Sequence, residues 1–521
     1  MSLASSLGNY SLQQTVDSSN PSPELEPYKS PASVEVARDE EFFQAHSASK
    51  DLGKRTIRGS VVTLSAQGAK FALKIGSTAI LARLLTPTDF GLVAMVTVIT
   101  SFIEMFKEAG LSMAVVQQEK VTHEQVSTLF WINVVIGCVL TFVIAALSPA
   151  IAWFYGEPRL LSVTLALSCT TVFGAIAVQH QAILRRNMHF GRLMAIDLLS
   201  LIAGIAVAVS MGYLDFAYWS LVGMIAATVV TTALLGFVLS GWRPGKPRRG
   251  TGVRSMLAFG GNITGANLAN QLYRSADKVL LAWWHGPDVA GAYSRAWVIV
   301  LQPMQQLIAP LASVLEPVLC RAVNDVPRFR SIYLTATCLA WFIACYGGVL
   351  IYVFAPVIVY LVLGEGWAEV IDVLRAFSVA TTCLVFGSIV HRWLLLPLGM
   401  ASRVLRWMLI QSTLGTIAYF VFAPYGMVAV AWSISVIELV SGFTAIYILS
   451  FGTIVPARRI YVALIPGLSA VAIAAGLYFY TTSGSPDLVT FLVVSVPFVL
   501  IGLGVVNSRF ARNLWQGVSG S

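Results

Sequence analysis

Segment after segment of this chain is apolar for long enough to cross a bilayer, and that succession constrains the fold more than any motif does. Stretches of about 20 residues, the length a helix needs to span the hydrocarbon core, run at 57–84, 90–111, 126–152, 160–184, 192–212 and 217–240. A second set follows at 254–284, 290–318, 331–362, 369–397, 404–423 and 427–451, and two more lie at 459–480 and 488–507. Lipid offers backbone amides and carbonyls no partners, so each segment must satisfy its own as a helix. The expected fold class is all-α, a polytopic membrane protein with about 14 transmembrane helices. Composition agrees: 11% of the 521 residues are charged and 57% are hydrophobic, whereas soluble domains carry roughly a quarter charged residues.

The first six segments recur in the second six. Leu84-Leu85-Thr86-Pro87-Thr88-Asp89-Phe90-Gly91 closes one helix and opens the next, and Trp284-His285-Gly286-Pro287-Asp288-Val289-Ala290-Gly291 does the same 200 positions on. Pro87 thus matches Pro287, and Gly91 matches Gly291. Ser148-Pro149-Ala150-Ile151 and Gly156-Glu157 answer Ala355-Pro356-Val357-Ile358 and Gly364-Glu365, and Val172-Phe173-Gly174-Ala175-Ile176 answers Val385-Phe386-Gly387-Ser388-Ile389. Self-similarity kept in order along the chain marks a duplication. Six helices per copy bring the second copy in from the same side as the first, so the lobes are parallel, related by an axis along the membrane normal, and enclose a central cavity. The expected domains are a disordered cytoplasmic tail (1–55), an N-lobe of six helices (56–240), a basic cytoplasmic linker (241–254), a C-lobe of six (255–451) and two C-terminal helices (452–521).

Basic residues in the loops fall on one side when the helices are taken alternately, which orients a membrane protein. Lys120, Arg185, Arg186, Arg192, Arg243, Lys246, Arg248, Arg249, Arg321, Arg328, Arg403, Arg458 and Arg509 share the inner side, whereas the outer loops hold Asp89, Glu157, Asp288, Glu365 and Asp487. Both termini are expected in the cytoplasm, with the chain in a bacterial inner membrane and no nucleic acid as partner despite the +9 formal charge. The tail lacks the apolar core of a secretory signal, so the first helix is expected to serve for insertion. Six cysteines show no CxxC spacing, and neither HExxH, GxxxxGK[ST] nor a complete GxGxxG occurs. Neither metal nor cofactor is expected.

Charges inside the apolar segments carry the functional reading, because an intramembrane charge normally faces a partner or a wet path. On the first helix Thr63, Gln67, Lys70, Lys74 and Thr78 recur at helical spacing, and on the seventh Asn267, Asn270, Gln271, Arg274, Asp277 and Lys278 do likewise. The offset of the repeat lays Lys74 on Arg274. The candidate substrate-binding residues are Lys74, Arg274, Lys70, Lys278, Arg295, Gln67 and Asn270. Asp277 is also placed to form a local ion pair with Arg274 or Lys278, and Arg83, near the outer end, is expected to snorkel to the headgroups. Cations across a cavity want an anion, and the anions borne by a bilayer are mostly phosphates, which arginine forks onto and lysine meets as a point charge. Glu104, Asp197, Glu316 and Glu438 are the acids available to an ion-coupled transporter. No paired carboxylates share a site motif and no nucleophile sits beside a histidine, so the chain does not read as an enzyme.

Leu81-Ala82-Arg83-Leu84-Leu85-Thr86-Pro87-Thr88-Asp89-Phe90-Gly91, Glu108-Ala109-Gly110-Leu111, Ala114-Val115-Val116-Gln117 and Leu129-Phe130-Trp131-Ile132-Asn133 resemble the polysaccharide transporter family of oligosaccharide flippases, which includes the colanic acid exporter type. That family shares a superfamily with the multidrug and toxin extrusion exporters. The resemblance covers about 57–450. It implies a flippase that carries an undecaprenyl-diphosphate-linked repeat unit to the outer leaflet for exopolysaccharide, capsule or O-antigen synthesis, by rocking of two lobes, with a polysaccharide polymerase or export machinery as further partner. Three rivals differ in what they demand: a multidrug-cation exporter wants acids in its cavity, a peptidoglycan-precursor flippase wants cations, and a membrane glycosyltransferase or polymerase wants large acidic loops.

Overall fold

The computed structural model describes residues 52–108, 115, 121–248, 253–467 and 469. Among them every regular element is a helix, as the apolar segments require. The helices are α1 (Leu52–Leu84), α2 (Pro87–Glu108), α3 (His123–Tyr155), α4 (Arg159–Arg186), α5 (Phe190–Tyr213) and α6 (Trp219–Ser240). Val253–Arg321 follows as one long rod broken at Gly286 (φ 78°, ψ −169°), which divides it into α7 (253–285) and α8 (287–321). Next come α9 (Val326–Val362), α10 (Val370–Leu395), α11 (Ala401–Phe422), α12 (Met427–Ser450) and α13 (457–467). The tail 1–51 and the expected last span at 488–507 lie outside the described residues.

Local chemistry sets the helix ends. At the α1–α2 corner the Asp89 carboxylate accepts from the Thr86 amide (2.9 Å) and hydroxyl (2.7 Å), with Pro87 opening the helix behind them. This is a capping box with proline at the first helical position, where its missing N–H costs nothing. α3 starts on a second box, Thr122 with Gln125. It ends at Gly156 (φ 66°), beyond which Arg159 donates to Glu157 and holds that carboxyl below its ordinary range. The repeat is visible in three dimensions: Pro149 lies inside α3 and Pro356 inside α9, and Gly156 and Gly364 both turn with positive φ beyond them.

In the first half α3 packs on α4, α5 on α6, α4 on α6 and α1 on α5; in the second, α9 packs on α10, and α10 and α11 on α12. Small residues bring helices close, as expected where lipid supplies no hydrophobic drive. Gly204 of α5 meets Thr228 of α6, and Gly348 of α9 meets Thr382 of α10. The halves join along α2 and the 253–321 rod, where Leu85, Phe90, Leu92 and Val96 share one core with Leu281, Tyr293, Ala296, Val300 and Phe377. Elsewhere large apolar side chains such as Val139, Phe142 and Trp153 face outward, as a lipid-bathed surface requires.

Eight of the described helices are long and apolar enough to cross a membrane. The exceptions among the long ones are α1, the 253–321 rod and α10, which hold Lys70, Lys74, Lys278, Arg295, Arg375 and Arg392. The linker after α6 is strapped to the first half. The Gly245 amide donates to Ser127 Oγ (3.0 Å), Trp131 Nε1 to the Gly245 carbonyl (2.8 Å) and Trp242 Nε1 to His123 Nδ1 (3.2 Å), while Arg248 pairs with Glu124.

Candidate seam between the halves

Lys74 sits on α1 about 15 Å, ten residues of helical rise, from the corner at Leu84. With Phe71, Ile75 and Thr78 it forms one wall of a cavity of about 240 Å³, whose other walls are Val298, Ile299 and Pro303 of α8 and Ile351, Ile358 and Val362 of α9. The pocket therefore lies between the two halves. Its lining is apolar apart from the Lys74 ammonium and the Thr78 hydroxyl, and that hydroxyl is already spent on the Lys74 carbonyl (2.8 Å). No carboxylate among the described residues lies within ion-pair distance of Lys74 Nζ. An unpaired ammonium among hydrocarbon side chains offers strong attraction to any anion that brings its own apolar body.

The other candidates separate from it. Lys70, one turn away, is paired: its Nζ lies 2.8 Å from Asp197 Oδ2 on α5. Gln67, another turn back, is exposed. Lys278 Nζ lies 5.1 Å from the centroid of the Trp297 ring. Its neighbour Asp277 is buried and accepts from Tyr293 Oη (2.8 Å) and the Lys278 amide (2.8 Å), so this carboxylate locks α7 to α8. Arg295 of α8 stacks its guanidinium 4.6 Å from the centroid of Phe90 on α2, and its Nε is buried with no hydrogen-bond partner. Arg274 and Asn270 lie on the α7 backbone, and their side chains lie outside the described residues.

The family model described as polysaccharide biosynthesis protein matches residues 80–372, more than half of the chain. This chain belongs to that family. Among relatives of this polysaccharide biosynthesis protein, the lipopolysaccharide biosynthesis protein WzxC of Escherichia coli K12 is 26% identical over 333 residues, 63% of this chain and 67% of its own length. The succinoglycan biosynthesis transport protein ExoT of Rhizobium meliloti is 25% identical over 67% of this chain and 71% of its own. The teichuronic acid biosynthesis protein TuaB of Bacillus subtilis is 24% identical over 73% and 79%. Two solved structures share the fold. The lipid II flippase MurJ in an inward closed conformation gives a TM-score of 0.68 at 15% identity, covering 88% of this chain and 99% of that one. An inward-facing multidrug resistance MATE transporter gives 0.57 at 15%, covering 78% and 94%. The family named from sequence is thus the right one, and the protein is a multi-pass membrane protein.

Three contacts of this polysaccharide biosynthesis protein, two of them across the seam, escaped the sequence. Arg83 does not simply snorkel: its guanidinium donates to the Leu361 carbonyl of α9 (3.0 Å), across the seam. Arg375 of α10 was passed over, although a cation five residues inside an apolar span was signal enough; it lies 3.2 Å from Asp372, with its guanidinium 5.9 Å from the Tyr352 ring. Trp367, buried between α9 and α10, donates its Nε1 to the Ala82 carbonyl (3.0 Å), a contact that nothing in the local sequence announces. Of the acids offered for ion coupling, Asp197 is spent on Lys70 and Glu316 lies 3.7 Å from Arg392, whereas Glu438 is buried and accepts from Gln411 Nε2 (2.8 Å).

Proposed function

We propose that this chain is a flippase that carries a polyprenyl-diphosphate-linked oligosaccharide from the cytoplasmic to the outer leaflet of a bacterial inner membrane. Both termini lie in the cytoplasm in this reading, so the corners at Pro87 and Pro287 face outward. The lobes at 56–240 and 255–451 rock about their seam, exposing it to each side in turn, and the product feeds a polymerase or export machinery outside.

One observation carries the reading: an ammonium with no carboxylate partner among the described residues, in an apolar pocket that both halves wall. That combination suits a ligand with an anionic head on a hydrocarbon chain, and it disfavours an organic cation, which Lys74 repels. The diphosphate is the part of a lipid-linked sugar that recurs whatever the glycan, so a transporter that grips it there leaves the sugar free to vary.

Charge reversal tests it. Lys74→Glu and Arg274→Glu should each stop surface polysaccharide production, leaving lipid-linked repeat units exposed only on the cytoplasmic face of vesicles, with membrane levels of the protein unchanged. Normal output from both variants would remove the site.

A further inference from the structure

The seam is closed at the corner end by contacts that come in near-symmetric pairs. A Cβ on Gly91 would lie 1.8 Å from the Pro287 carbonyl oxygen, and one on Gly291 would lie 2.0 Å from the Pro87 carbonyl oxygen. Each glycine thus presses on the other half's backbone with no space for a methyl group. Thr88 donates to the Asp288 carboxylate, a contact between repeat-equivalent residues that marks where the symmetry axis passes. Phe90, buried beside them, is wedged into the second half, with its ring 5.4 Å from that of Trp367 on one side and the Arg295 guanidinium 4.6 Å away on the other.

Arg295 is the unusual member. Its buried Nε has no hydrogen-bond partner, and its charge faces an aromatic ring contributed by the opposite half. A ring face satisfies a guanidinium less well than a forked oxyanion does. Any motion that parts the halves here withdraws Phe90 and leaves the cation open toward the gap. We propose that the paired corners form the outer gate and that opening it transfers Arg295 from Phe90 to the diphosphate of the departing ligand. This deepens the flippase reading and rests on it. Lys74 holds the anion while the gate is shut, and Arg295, nearer the corner, receives it once the gate opens. Phe90 serves as the cap that keeps Arg295 silent until then.

The test uses the full chain in nanodiscs. Thr88→Cys with Asp288→Cys should form a disulfide, located by peptide mapping, in resting protein. Gly91→Val, a wedge in the gate, should lower that cross-linking several-fold, and Gly291→Val, the mirror wedge, should do the same. The wedged proteins should bind undecaprenyl diphosphate placed in the nanodisc about tenfold more tightly, the scale of one charge-assisted contact, and adding Arg295→Gln should erase the gain. Phe90→Leu, which removes the cap and leaves both glycines in place, should give part of it. Inorganic diphosphate in solution separates the sources: a gain with the lipid, with or without the free anion, supports the transfer, and a gain with the free anion alone overturns it. Unchanged cross-linking in both wedged proteins overturns the gate, and a gain that survives Arg295→Gln overturns the role of Arg295. The flippase reading fails separately, if the Lys74 and Arg274 reversals leave export intact while the gate still opens.

Discussion

The two corners, at Pro87 and at Pro287, perform the same turn by different means. The first is held by side chains, with Thr86 and Asp89 closing on each other around the start of α2. The second is held by backbone, with Gly286 at φ 78° and ψ −169°, where only glycine rests easily, and His285 Nε2 seated 2.8 Å from the Ala423 carbonyl. What the corners share is Pro87 with Pro287 and Gly91 with Gly291, the residues that touch across the seam. The lesson is that the two copies have diverged in how each holds its own turn and stayed alike at the glycines whose backbone presses on the other half, while side chains there, such as Thr88 against Asp288, differ. Self-similarity in this chain therefore reports on the interface between the copies.

The largest expected effect comes from the shared positions. Gly91→Val and Gly291→Val should each cut polysaccharide export by at least about tenfold, because a side chain there overlaps backbone that has no freedom to move aside. Equal losses would sharpen the comparison; a large loss at one glycine and none at the other would break it. Next come the divergent positions, where only local stability is at stake. Gly286→Ala should cost about 1–3 kcal/mol of strain, read by equilibrium unfolding in mixed micelles, although nothing lies within 4 Å of the added methyl. Thr86→Ala at the other corner should cost about 1 kcal/mol, the usual loss of a helix cap. Export per folded molecule should stay near the parent level in both. A fall in it would show that turn geometry and gate contact are not separable.

How far the sequence could be read follows the same division. The helices were legible because their length is set by the bilayer, and the duplication was legible because proline and glycine recur in the same order, at offsets that drift from 200 to 213. Lys74 stood out as a cation without an acid within one turn of its own helix. The partner of Lys70 was invisible because Asp197 lies 127 residues away, on a helix whose rotation against α1 depends on packing. The cap on Arg295 was invisible for a stronger reason: Phe90 reaches it from the other half, and pairing between lobes leaves no periodic trace in either.

The repeat also ranks the cations on α1. Laying the copies together at the corner offset puts Lys70 on Asn270, Lys74 on Arg274 and Thr78 on Lys278, so that of these three pairs 74/274 alone is basic in both. If shared positions serve the seam and divergent ones serve their own half, Lys70 with Asp197 should be a local brace from α1 to α5. Both members are partly exposed, so the coupling should be no more than about 1 kcal/mol, measured by a double-mutant cycle of Lys70→Gln and Asp197→Asn. Either single change strands a charge in a membrane helix and should cost more than the double change, which strands none. The double variant should therefore unfold close to the parent and export close to the parent, while Lys74→Gln, one turn along the same helix, should keep the stability and lose the export. If the neutralised pair instead stopped transport, Lys70 would belong to the site after all, and the ranking of α1 cations by agreement between the copies would fail at the helix that suggested it.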